Sequence, residues 1–64
     1  MLEEALDRLE SINPIYARVV QLRFYGGMRV EEIAASLDTS SRTVKRHWRS
    51  ARAWLSKELD RSAG

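Results

Sequence analysis

The residues best placed to do chemistry lie in the second half of the chain. Arg42, Lys45, Arg46 and Arg49 recur at three- and four-residue intervals, with Ser41 just ahead of them. On an α-helix, residues three and four apart are neighbours on one face. The chemistry such a face offers is hydrogen-bond donation from positive charge. Arg and Lys can donate to guanine O6 and N7 in a major groove and can also pair with phosphate oxygens. Catalysis has no comparable candidates. No Ser-His-Asp set, phosphate-cradling glycine loop or carboxylate pair can be read. Glu3, Glu4, Asp7 and Glu10 read as a solvated face. The single histidine, His47, falls beside an apolar stripe and reads as a boundary residue. Without cysteine there is no disulfide framework and no thiolate metal site. The expectation is a binding module that is not an enzyme and needs no cofactor or metal.

Four helical segments are predicted to position these side chains. Leu2, Leu6, Leu9 and Ile12 are spaced for one face of a helix over about residues 2–11. Asn13-Pro14 is a start signal: Asn caps, and Pro suits the first helical position, where its missing N–H would be unpaired anyway. The second helix is predicted over 15–25, with Val19, Leu22 and either Val20 or Phe24 turned inward. Gly26-Gly27 ends it, because glycine takes the left-handed backbone of a C-cap without steric cost. Met28 is expected to add a hydrophobic contact there.

A short third helix is predicted over 30–37. Val30, Ile33, Ala34 and Leu37 form its buried face, and Glu31 and Glu32 favour the dipole of its first turn. Asp38-Thr39-Ser40 is the break, with Asp38 tolerant of left-handed backbone and Ser40 as the next N-cap. The last helix is predicted over 41–61, with residues 62–64 frayed. At about 100° per residue, Val44, Trp48, Ala51, Leu55 and Leu59 form an inward stripe. Arg42, Lys45, Arg46 and Arg49 fall opposite, on the first turns. Trp48 is expected in the core, and Trp54 at the flank of the stripe, packed on the first helix. The fold class is therefore all-α: a four-helix domain whose third and fourth helices make a helix-turn-helix with a long C-terminal recognition helix. Ala34 and Ala35 are small enough to let those two helices cross closely.

Composition agrees. A chain of 64 residues makes one domain, which buries only about 60% of the surface its unfolded chain exposes. Net charge is +2, but residues 1–38 carry four Arg against seven Asp/Glu (−3), while residues 39–64 carry seven Lys/Arg against two Asp/Glu (+5). A basic element beside an acidic one suits a nucleic-acid reader with a separate protein-facing side. No apolar run approaches the ~20 residues that span a bilayer. The acidic N-terminus does not resemble a signal peptide. A cytoplasmic setting without membrane contact is expected.

The run Leu22-Arg23-Phe24-Tyr25-Gly26-Gly27-Met28-Arg29-Val30-Glu31-Glu32-Ile33-Ala34, followed by Leu37-Asp38-Thr39-Ser40-Ser41-Arg42-Thr43-Val44-Lys45-Arg46, resembles the fourth domain of extracytoplasmic-function bacterial sigma factors. The ending Trp48-Arg49-Ser50-Ala51-Arg52-Ala53-Trp54-Leu55, then Glu58-Leu59, is similar to one subgroup of that family. The resemblance covers about residues 5–60. It implies recognition of the −35 element of promoter DNA in the major groove, docking on the β flap of RNA polymerase, and sequestration by an anti-sigma factor. By position, Ser41, Arg42, Lys45, Arg46 and Arg49 would face DNA. Thr43, at the edge of that face, and Arg29, beside the third helix, would reach backbone phosphates.

Two positions depart from the family pattern. Arg29 stands where Ser or Thr often caps the third helix, and Arg cannot cap. Asp38 stands where Gly is frequent in the turn. Complete factors also carry a domain that melts the −10 region, so this chain is expected to be an excised domain that does not support transcription alone. Two rival readings stay open. One is a LuxR-like, response-regulator-type activator domain, which would dimerise through its last helix on paired half-sites. The other is a protein-interaction module for polymerase or an anti-sigma factor, with little DNA affinity of its own. A single-site reader would be a monomer.

Overall fold

The computed structural model describes residues 2–63, with side chains described through Arg61. Its elements are α1 (Leu2–Ile12), α2 (Pro14–Phe24), α3 (Val30–Ser36) and α4 (Ser41–Ala63). Among the described residues there is no strand. The all-α expectation therefore holds, with small shifts at the helix ends. α2 begins at Pro14 itself, and α4 runs to Ala63, beyond the predicted end at 61. Residues 62 and 63 are thus helical rather than frayed, whereas the expectation for Gly64 lies outside the described residues.

Each junction has an identifiable cause. Asn13 is extended (φ −149°, ψ 92°), and its Oδ1 accepts the Tyr16 N–H at 3.3 Å, with Pro14 in the first turn. At the end of α2 the hydrogen-bond ladder widens. The Gln21 carbonyl accepts from both Tyr25 and Gly26, and the Met28 N–H reaches back to the Leu22 carbonyl at 3.1 Å. The chain turns there through Gly27, at φ +62°. Gly26 is confined in a different way: a Cβ built on it would lie 2.7 Å from the Leu22 carbonyl oxygen. Met28 packs on the core as anticipated. Between α3 and α4 the left-handed residue is Asp38, at φ 55°. Ser40 then caps α4, its Oγ accepting the Thr43 N–H at 3.2 Å.

α4 is the axis of the domain. Its 23 residues span about 34 Å at the α-helical rise, nearly the full 37 Å of the molecule. It packs on all three other helices, whereas α1 and α3 do not touch. The core accordingly has two clusters. One joins α1, α2 and α4 through Ala5, Leu6, Leu9, Ala17, Val20, Ala51 and Leu55. The other joins α2, α3 and α4 through Val19, Ile33, Ala34 and Val44. Trp48, half-buried, packs against both. Trp54 and Leu59 pack on the first cluster.

Several inward assignments change. Ile12 is 66% exposed and Phe24 59% exposed. Both are the last residues of their helices, and of the two inward candidates in α2, Val20 is the buried one. Ala35 is exposed, so only Ala34 serves the close approach of α3 to α4. The small residues that matter most are three alanines. Ala5, Ala17 and Ala51, one from each of α1, α2 and α4, are at most 1% exposed. Without larger side chains between them, these helix backbones approach closely.

Candidate nucleic-acid interface

The site begins with the burial of Val44. It is 0% exposed, packed beneath Ile33 and Ala34 of α3. At 100° per residue this turns the other side of the first three turns of α4 to solvent. Arg42, Lys45, Arg46 and Arg49 are all exposed there and line one shallow surface. Among the described residues the ion pairs are Arg8–Glu58 at 2.9 Å and Arg61–Glu58 at 3.8 Å, so none of the four cations is neutralised by a carboxylate. Their positive field stays available to an outside anion.

The other expected site residues are arranged differently. Ser41 is half-buried at the tip of α4. Thr43 is also half-buried, and its Oγ1 accepts the Ser40 hydroxyl at 3.0 Å. It retains its own proton for donation outward, since a hydroxyl both donates and accepts. Arg29 does not join the α4 surface. It is the N-cap residue of α3, extended at φ −75°, ψ 159°, and exposed. Its side chain makes no capping bond, as a guanidinium has no acceptor. Half of a capping box is nonetheless present: the Arg29 N–H donates to Glu32 Oε1 at 2.8 Å.

Two contributors escaped the sequence reading. Arg52 continues the cationic stripe, one turn beyond Arg49 and two beyond Lys45. Together with Trp48 and Ser56 these residues line a second shallow surface along α4. The same three- and four-residue spacing that identified Arg49 would have found it. Arg23 is the other. It comes from α2, and only the packing of α2 on α4 brings its guanidinium over Trp48. His47 is half-buried beside Tyr16, ring centroids 5.2 Å apart, with Nδ1 buried and lacking a hydrogen-bond partner. That is a boundary position, as expected. Among the described residues no group of His, Asp and Glu is placed to hold a metal ion, and no helix is long and apolar enough to cross a membrane.

Taken together, this is an exposed cationic helix face held out by a buried apolar stripe, suited to an extended anion. No curated protein and no solved structure matches the chain. The family model for the ECF sigma factor matches residues 1–61. The chain belongs to the ECF sigma factor family, whose members act with RNA polymerase on promoter DNA in transcription initiation.

Proposed function

We propose that this chain is the promoter-reading fourth domain of an ECF sigma factor. In this reading α3 and α4 form a helix-turn-helix, and the N-terminal half of α4 enters the major groove at the −35 element. One observation carries the proposal: Arg42, Lys45, Arg46 and Arg49 share the exposed side of α4 while Val44, opposite them, is fully buried. The major groove admits one α-helix. Arg42, Lys45, Arg46 and Arg49 make the base-edge and phosphate contacts, with Ser41 at the tip. Thr43 and Arg29 contact the backbone. The domain acts as a bacterial cytoplasmic monomer, as a binding module rather than an enzyme. It docks on the β flap of RNA polymerase and is open to capture by an anti-sigma factor.

The test is selection of bound duplexes from a randomised pool, at low and moderate salt, with the Arg42→Ala/Arg46→Ala variant alongside. A single enriched motif of a few base pairs, lost in the variant, is expected. Enrichment of paired, inverted half-sites would favour the LuxR-like activator reading. Binding without enrichment would reduce the site to charge alone. A wild-type domain that binds no duplex even at low salt would overturn the DNA-reading proposal in favour of a protein-interaction module.

A further inference from the structure

An exposed tyrosine and two unpaired carboxylates share the groove between α1 and α2. A single residue, Asn13, joins these helices, and they pack on each other. Glu3 and Asp7, one turn apart on α1, line the groove with Gln21 and Tyr25, one turn apart on α2. Leu6 lines it too and is the most buried of the five, at 5% exposed. Tyr25 is 62% exposed, although its ring is large enough to gain from burial. Among the described residues neither groove carboxylate has an ion-pair partner. Local structure accounts for Glu3, which complements the dipole of the first turn of α1. It does not account for Asp7, a weak helix former in the interior of that helix. The adjacent Arg8 pairs instead with Glu58 of α4.

Charge and apolar surface together say what this groove accepts. Two carboxylates attract a cation, and the face of a tyrosine ring does the same. Leu6 and Tyr25 offer apolar surface beside them. Lys and Arg answer both demands, with an apolar stem beneath a charged head. Nucleic acid has the wrong sign of charge for it, and among the described residues no carboxylate group is placed to hold a metal ion. None of the lining residues belongs to α4, so filling the groove does not use the cationic face.

We infer that the α1–α2 groove is a protein-docking surface whose occupant is a basic amphipathic segment of a partner protein. A Lys or Arg of that segment is held by Glu3 and Asp7 against Tyr25, and an adjoining apolar side chain rests on Leu6. The inference does not depend on how α4 is used.

The experiment pans a randomised peptide library, displayed on phage, on the folded domain at about 0.15 M salt, where distant charges are screened. Enriched peptides should carry Lys or Arg three or four residues from an apolar side chain, the spacing of one helix face. The best of them, synthesised, should lose about tenfold in affinity on Asp7→Asn and again on Tyr25→Ala, as anchor contacts do. Glu10→Gln should leave that affinity unchanged, since Glu10 is an exposed carboxylate of α1 outside the groove. NMR shifts on titration should centre on Leu6, Gln21 and Tyr25. The substituted positions are all exposed, and thermal melts confirm that each variant is folded. A panning that enriches no peptide would overturn the inference, as would acidic peptides whose shifts fall on α4. So would an equal loss in Glu10→Gln, which reduces the surface to diffuse charge. Self-association of the free domain that Asp7→Asn abolishes would put a second copy in the groove and overturn the foreign partner. Whether the domain binds duplex does not enter any of these outcomes, so failure of this surface and failure of DNA reading are told apart.

Discussion

Arg29 sits where two demands on one residue conflict. As the N-cap of α3 it leaves the first-turn N–H groups without a side-chain acceptor, while Glu32 completes only the reciprocal half of the box. Arg29→Ser supplies that acceptor and should stabilise the fold by about 1 kcal/mol, a rise in melting temperature of roughly 4–8 °C for a domain of this size. The same substitution removes a cation assigned to backbone phosphate, so duplex affinity should fall as stability rises. A melt without the gain would contradict the cap. Backbone handedness makes two further residues testable. Asp38 holds φ 55°, which costs an L-residue something even when it is Asp. Asp38→Gly should gain a few tenths to about 1 kcal/mol, read from the urea midpoint. Gly27→Ala, at φ +62°, should lose about 1 kcal/mol or more by the same assay. Asn13, Ser40, Gly27 and Asp38 were all legible from residue type, because caps and left-handed turns are local chemistry.

At the scale of elements, α4 carries both the fold and the site. Its inward residues Val44, Ala51 and Leu55 are buried, and its outward residues are the cationic face. Rigid presentation of that face depends on α3, through Ile33. Ile33→Ala removes a fully buried side chain and should cost about 2–5 kcal/mol, a large share of the stability of any small domain. Urea unfolding measures the loss, and the exposed Ala35→Ser should stay within about 0.5 kcal/mol. The distal half of α4 is tied to α1 by Arg8–Glu58, with Arg8 half exposed. Pairs of that kind contribute at most about 1 kcal/mol, so Arg8→Ala should move the same midpoint only slightly. The position of α4 in the core comes from the alanines at its crossing with α1 and α2. Apolar periodicity weights large side chains, and so passed over Ala5 and Ala17.

For the whole molecule, charge is divided along the chain and across the fold. The acidic residues of α1 lie on a helix tied to the distal half of α4 through Arg8–Glu58, while the cations cluster on the first half of α4. Binding driven by that cluster should be strongly salt-dependent. Five phosphate contacts would imply a loss of about 500-fold in affinity between about 50 and 200 mM salt. A titration series over that range measures it, and a shallow slope would contradict phosphate-dominated binding. Sedimentation of the free domain should give one monomeric species.

The sequence alone was enough for what depends on neighbours along the chain. Apolar spacing, caps and turn residues sufficed for four helices, their order, the outward face of α4 and the family resemblance, because helix formation and capping act over a few residues. It misjudged Ile12, the last residue of α1, and Ala35, on the outer side of α3, both of which are exposed. Tertiary structure alone decided which of Val20 and Phe24 is buried, the division of the core about Trp48, and the placing of Arg23 of α2 against the Trp48 ring of α4. These are contacts between elements, set by how helices of unequal length pack around α4, and no local period encodes them.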